Sequence, residues 1–396
     1  MTLEARIAAR IRREGPIAFA DFQAMALYDE PDGFFTGGGG AGRGGRDFMT
    51  SPEVGSLFGA LVARHLDAVW HRLDAPDPFV VVEVGAGRGR LAADVLRAGP
   101  GCAPALRYVL IERSARLRAE QRELLTLEPA DEALGPFARR ADLDEPLEAV
   151  PGSGPIVSSL DDLPAMSLDG VVIANELLDN LPVHLVERVE GEWSEVRVRL
   201  DDEERLVEAL VPAPPELAIE ADRVGSADVP GGSRLPIPVA TKDWLERIAM
   251  LLDHGEVLLI DYMDDVRGLL QRGQASWLRT YAGHGRGSAP LDAPGHQDIT
   301  CDVPIEYLGL AAARAGFTIA GETSQAEWLA GLGVDELVAA GDATWRDRAH
   351  IGDLEAIAGR SRGVEAAALT DPDGLGAHRV VTLTVGAASV PKDGGR

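Results

Sequence analysis

Cysteine is scarce in this chain: two in 396 residues, Cys102 and Cys301, far apart and with no further cysteine at ligand spacing. Neither a disulfide framework nor a zinc site can be built on such a pair, and two inert thiols is the plainer reading. Long apolar runs are missing as well. None approaches the ~18 to 20 residues that span a bilayer, so no membrane partner is expected. Cations are outnumbered, 38 Lys and Arg against 64 Asp and Glu, for a net charge of −26. That field repels phosphate backbones and steers basic protein surfaces inward, so a nucleic-acid partner is disfavoured. The first residues, MTLEARIAARIRREG, are rich in arginine but lack serine, and Glu4 and Glu14 interrupt them. An ordinary first helix over 3–13 is expected rather than a transit peptide, and with it a cytoplasmic location.

The most informative stretch is FVVVEVGAGRGRL, Phe79 to Leu91. A continuous β-branched run reads as a parallel strand buried on both faces, and the glycines at 85, 87 and 89 demand a tight turn into a helix. The dinucleotide fingerprint carries its third glycine one position later. Glu83, just before the turn, would repel a pyrophosphate but suits a ligand that carries a cation, such as the ammonium group of S-adenosylmethionine. Methyl transfer is therefore the first hypothesis.

Beyond this turn strands and helices alternate, the pattern of a doubly wound parallel sheet. Strands are predicted at 106–111, 155–158, 170–174, 256–262, 317–320 and 378–386, and helices at 52–70, 114–125, 242–252 and 304–315. Period-two stretches after Pro182 predict an inserted antiparallel meander. The proline-rich stretch 212–238 and the segment 264–302 read as loops, and 324–362 as two or three helices. A second helix opens at Asp21, and the glycine-rich stretch within 28–59 reads as a flap or as a plain surface loop. The expected division is 1–78 for N-terminal helices and flap, 79–322 for the core with its meander at 183–240, 323–376 for a helical insertion, and 377–396 for the last strand and tail.

In such a sheet ligands sit beyond the carboxyl ends of the strands. Glu83, Glu112, Asp161 with Asp162, Asn175 with Glu176, and Asp261 with Tyr262 all fall there. Glu112 lies about twenty residues past the glycines, where a carboxylate takes ribose hydroxyls; a solvated strand-end charge is its alternative. Methyl transfer from a sulfonium is an in-line displacement dominated by positioning. Glu176 and Asp179 lie three apart at the start of an expected helix, so they share a face and could orient a nitrogen acceptor and take its proton. Paired carboxylates match the planar fork of a guanidinium. Acids that merely complement a helix N-terminus are the alternative. His184 and His284 are weaker candidates for a base. His284, His296 and Asp298 lack regular ligand spacing, so no metal is expected.

Together LYDEPDGFF (27–35), RDFMTSPEVGSLFG (46–59), VEVGAGRGRLAADVL (82–96), IERSARLRAEQ (111–121), NELLDNLPV (175–183), IDY (260–262) and LRTYAGHGRGSAPLDAPGHQDIT (278–300) resemble the MidA-like family of class I S-adenosylmethionine-dependent methyltransferases. Mitochondrial members of that family are arginine methyltransferases acting in respiratory complex I assembly. The resemblance implies a class I, Rossmann-like fold with S-adenosyl-L-methionine as cofactor and a protein substrate, a respiratory-complex subunit among the candidates. It carries cofactor binding onto Glu83, Gly85, Gly87, Gly89 and Glu112, with Asp161 at the next strand end. The acceptor side falls on Asn175, Glu176 and Asp179. The segment Asp47 to Glu53, with Thr50, is expected to close over the cofactor. Arg46, Asn180 and Met263 depart from the family pattern beside these positions. A non-catalytic cofactor-binding assembly factor and an NAD-dependent dehydrogenase stand as alternatives.

Overall fold

The computed structural model describes residues 1–39, 50–130, 134, 154–225, 229–283 and 285–385. Its centre is a seven-stranded sheet made of β1 (Phe79–Val84), β2 (Leu106–Ile111), β3 (Ile156–Leu160), β4 (Leu168–Asn175), β5 (Leu252–Asp261), β6 (Phe317–Ser324) and β7 (Arg379–Val385). The spatial order is β3-β2-β1-β4-β5-β7-β6. Pairing is parallel from β3 to β5, and β7 runs antiparallel between β5 and β6. This is the doubly wound arrangement that the alternating pattern predicts. The strand order reverses between β1 and β4, which opens the ligand crevice above their carboxyl ends.

Both faces of the sheet are covered, which is why β1 is apolar at every position but Glu83. Val80, Val82 and Val84 pack with Trp244, Leu245 and Ile248 of the helix Val239–Leu251 and with Leu308 of the helix Ile305–Arg314. Phe79 and Val81 face the opposite way, into a cluster with Phe58, Leu61 and Leu66 of the helix Ser56–Arg72 and Leu91 and Val95 of the helix Arg90–Ala98. A two-sided core leaves few polar positions in these strands, so the polar ones that remain mark the edge where the site lies.

A third cluster holds the N-terminus in place. The helix Leu3–Glu14 turns Leu3, Ile7 and Ile11 onto Phe19 and Phe22 of the helix Phe19–Tyr28 and onto Val196 and Val198 of the meander. That second helix starts two residues before the predicted Asp21, with Ala18 extended at its N-cap position and no side-chain cap. The meander strands His184–Val189 and Glu192–Leu200 pair antiparallel, as their alternation predicts, and Leu206–Pro212 adds to the second.

Two predicted loops are ordered structure. Within 212–238 lie the helix Pro215–Val224, with Leu217, Ala221 and Val224 buried, and the strand Arg234–Ile237, which pairs with His184–Val189. Proline in the first helical turn has no N–H to lose, so proline density there signals a helix start as readily as a loop. Within 264–302 the helices Val266–Arg272 and Gln274–Trp277 lead to a pair of strands, Leu278–Ala282 and Asp298–Cys301. Fully buried Trp277 anchors that segment. The 324–362 region resolves into three helices, Gln325–Gly331, Val334–Arg348 and Leu354–Leu369. None of the described helices is long and apolar enough to cross a membrane.

Candidate active site at the carboxyl edge of the sheet

The glycine turn is pinned to the end of β2. The N–H groups of Gly85 and Ala86 donate to the Ile111 carbonyl at 2.9 and 3.1 Å, and the N–H of Gly87 donates to Oε2 of Glu112 at 3.0 Å. Fully buried Gln121 donates to the Gly87 carbonyl at 2.8 Å. Positive φ angles of 73°, 54° and 76° at Gly85, Gly87 and Gly89 explain the residue type, since other side chains rarely adopt them. A Cβ added at Gly87 would meet nothing within 4 Å, so its outer side faces open space of the kind a cofactor needs. Glu112 also accepts from the N–H of Ser114 at 2.8 Å. Burial raises its carboxyl against the lowering effect of these two N–H donors. The N–H of Glu112 in turn donates to Leu160, so exposed Asp161 follows immediately beyond the same edge.

Glu83 is the exception to the expected arrangement. Its position in β1 puts it on the face of Phe79 and Val81, and at 5% exposure it lies beneath the glycine turn, not above it. The Tyr108 hydroxyl donates to its Oε2 at 2.8 Å, and burial pushes the carboxyl up to about 8. The carboxyl so placed bonds within the protein, to the Tyr108 hydroxyl and to the Ala92 N–H. The sequence could not reveal this, because which face a strand residue takes depends on register.

The opposite wall of the crevice is acidic. Glu176 follows β4 with φ of +50°, a left-handed conformation uncommon for a residue with a side chain. The expected helix is not there: a single 3-10 turn, Leu178–Asn180, follows instead. Oε1 of Glu176 accepts from the Ser51 N–H at 3.2 Å and from Asn175 Nδ2 at 3.3 Å. Burial pushes Glu176 up to about 8, with Asp261 and Asp298 adding to the rise. Asp179, only 2% exposed, is pushed up by burial and then by Asp261, Asp298 and Glu176. Its Oδ1 has no hydrogen-bond partner among the described residues, and neither has Oδ1 of Asn175.

Several groups here were missed or undervalued by the sequence reading. Asp298 accepts from Asn180 Nδ2 at 2.8 Å, and the Asn180 carbonyl accepts from the Tyr28 hydroxyl at 3.0 Å. Arg279 lies over the Tyr262 ring at 4.6 Å, pairs with Asp302 at 2.6 Å, and opposes the rise of Asp179. His378 packs edge-on against Tyr262, 4.1 Å between centroids, and burial lowers it to about 4, so it is neutral at pH 7. Asp298 and Arg279 sit in short strands inside the segment taken for a loop, where no periodicity could flag them.

Thr50 precedes the short helix Ser51–Val54 beside Glu176, whereas Asp47 and His284 lie outside the described residues. His184 is not at this wall: it is hydrogen-bonded to Glu195 at 2.8 Å within the meander. Among the described residues no group of three or more His, Cys, Asp and Glu could hold a metal ion.

A doubly wound sheet of this order, with an open glycine turn facing a carboxylate at the next strand end, defines a class I S-adenosylmethionine-dependent methyltransferase. The chain belongs to the family described as "Putative S-adenosyl-L-methionine-dependent methyltransferase", whose model matches residues 61–323. It is 30% identical to the mitochondrial protein arginine methyltransferase NDUFAF7 of Mus musculus over 337 residues, 82% of this chain and 73% of that one. Identity to the Homo sapiens protein of the same name is 29%, over 82% of this chain and 72% of that one. A crystal structure from Burkholderia thailandensis, of a candidate methyl transferase bound to S-adenosyl-homocysteine, superposes with a TM-score of 0.77 at 29% identity, covering 96% of this chain and 91% of that chain. The cofactor is S-adenosyl-L-methionine, and the NAD-dependent dehydrogenase is set aside. The expected cytoplasmic location is corrected by the same relatives, which are mitochondrial proteins by name.

Proposed function

We propose that this methyltransferase modifies the guanidinium of an arginine in a protein, with Glu176 and Asp179 on the acceptor side, assisted by Asn175. The observation that carries this reading is the acidic wall itself. Glu176, Asp179, Asp261 and Asp298 lie within electrostatic reach of one another at the buried end of the crevice. Water is largely excluded there, and a planar cation is the acceptor that such paired carboxylates suit best. The curated relatives carry protein arginine methyltransferase in their names, which supports the same acceptor.

Glu112 and the turn Gly85–Gly89 hold the cofactor in this reading, with Asp161 and Thr50 at its margins and Glu83 bracing the turn from below. The bound cofactor supplies an electrophilic methyl group on a sulfonium sulfur. Glu176 and Asp179 bind the guanidinium through its N–H groups and turn one nitrogen toward the methyl carbon. As the new N–C bond forms and the S–C bond breaks, the nitrogen loses a proton to a carboxylate oxygen of Glu176. Burial raises this carboxyl to about 8 in the chain without a ligand; an arginine cation beside it favours the ionised form, which is the form that takes the proton. We take 1–78 as a cap on the core 79–322, meander 183–240 included. The insertion 323–376 flanks the acceptor side, and the strand Arg379–Val385 after it returns the chain to the sheet.

The test is mass spectrometry of proteins from cells with and without this enzyme, using methyl-deuterated S-adenosylmethionine on the lysate that lacks it. Label on arginine nitrogens supports the reading; label confined to lysine, carboxylate or small molecules overturns it.

A further inference from the structure

Asp261 is not assigned to the reaction by the motifs, yet among the described residues its side chain takes several bonds from the acceptor-side turn. It ends β5, and its side chain has no exposed surface. Oδ2 accepts from the N–H groups of Leu177 at 3.0 Å and Leu178 at 2.7 Å, while Oδ1 accepts from its own neighbour Tyr262 at 2.8 Å. The N–H of Asp179 also bonds to this carboxylate. One residue earlier, the Ile260 carbonyl accepts from the N–H of Glu176 at 2.8 Å. Consecutive residues of β5 thus grip Glu176 itself and the three residues after it.

We propose that Asp261 is a positioning residue for methyl transfer, its carboxylate fixing the 176–180 turn so that Glu176 and Asp179 address the acceptor together. The inference rests on the acceptor role given to those two acids. Its physical basis is the backbone at Glu176. A left-handed residue persists only where its surroundings over-determine it. Here the determining bonds are the Ile260 carbonyl on one side and the Asp261 carboxylate on the other. The same bonds keep the Leu178–Asn180 turn tight and so aim Asp179. Without the carboxylate the N–H groups of Leu177 and Leu178 would lose their acceptor, and residue 176 could relax toward ordinary φ. The two acids would then part by an ångström or more, and misplacement on that scale costs about a hundredfold in rate.

Asp261→Asn is the diagnostic change, because an amide pairs one accepting oxygen with an NH2 donor: whichever way it turns, the donor faces either the Tyr262 N–H or those of Leu177 and Leu178, so the full set of bonds cannot be kept. The assay uses methyl-deuterated S-adenosylmethionine with lysate protein from cells lacking the enzyme, and is run on wild type, Asp261→Asn and Glu176→Gln. For Asp261→Asn, transfer at saturating cofactor is expected to fall about a hundredfold, while the cofactor Kd stays within about threefold. The limb of the pH–rate profile that reports the acceptor-side base is expected to persist. An unchanged rate overturns the inference, and so does loss of that limb, which would make Asp261 itself the proton acceptor. If Glu176→Gln transfers at full rate, the acceptor reading has failed; if only Asp261→Asn does, the positioning role alone has failed. Should Asp261→Asn not fold, hydrogen exchange on the wild type decides. Strong protection of the Leu177 and Leu178 amides is expected, and exchange at unfolded-chain rates contradicts it.

Discussion

The backbone N–H of Ser51 donates to Oε1 of Glu176 across 3.2 Å, joining residues 125 apart in sequence. The Ser51 hydroxyl meanwhile donates to Oε1 of buried Gln325 at 2.9 Å, at the start of the helical insertion. The N-terminal segment, the acceptor-side acid and the insertion therefore meet at one residue. A change at that junction reaches both stability and the site, which separates it from changes at the cofactor end.

At the junction, Gly55 leaves room for Glu365. A Cβ at residue 55 would lie 2.2 Å from the Glu365 carboxyl carbon, and that carboxylate accepts from the Leu57 N–H at 2.9 Å. The backbone at 55 is extended, so the obstacle is collision and not strain. Gly55→Ala is expected to destabilise the protein by about 1–3 kcal/mol, lowering Tm by several degrees in a thermal melt. Adding Glu365→Ala to Gly55→Ala should recover part of the loss. A Tm equal to wild type in the single variant would mean that the insertion yields freely.

At the cofactor end, Glu112→Ala removes the acceptor for the Gly87 and Ser114 N–H groups together with the carboxylate placed for ribose hydroxyls. Calorimetric titration should find S-adenosylmethionine bound at least about tenfold more weakly, since charge-assisted hydrogen bonds contribute about 1.5–3 kcal/mol each. Unchanged affinity would put the ribose elsewhere.

Stability should respond to pH through the raised carboxyls. Glu83 and Glu176 hold protons up to about 8 when folded but release them near the ordinary 4.5 when unfolded. The folded state binds more protons in that interval, so its stability falls as pH rises through it. His378, lowered to about 4, has the opposite effect, but only between about 4 and 6.5. Melts between pH 6.5 and 8.5 therefore isolate the carboxyls: wild-type Tm should fall across that range, and Glu83→Gln should fall less. Equal slopes would show that Glu83 is ionised throughout.

How much of this was legible depended on whether a residue's role was local. β1 and β2 were readable because strands buried on both faces admit almost nothing but apolar side chains, and Glu112 followed from its distance past the glycines. The side taken by Glu83 was not readable, because the five apolar residues of β1 leave its odd and even positions looking alike. Asp261 was visible as a strand-end acid, but its bonds to Leu177 and Leu178 depend on β4 and β5 lying in register. Arg279, and the place of Asp298 in the acidic wall, were hidden for another reason. Their strands run four and five residues and pair with each other across an intervening stretch, too short for any period to emerge.

Methyl transfer by Glu176→Gln, measured beside wild type with methyl-deuterated cofactor and lysate protein, tests the acceptor assignment most directly. Expected is label on arginine nitrogens with wild type and at least a hundredfold less with the variant, while both bind S-adenosylmethionine equally in calorimetry. Full transfer by Glu176→Gln, or no labelled arginine with wild type, would contradict it.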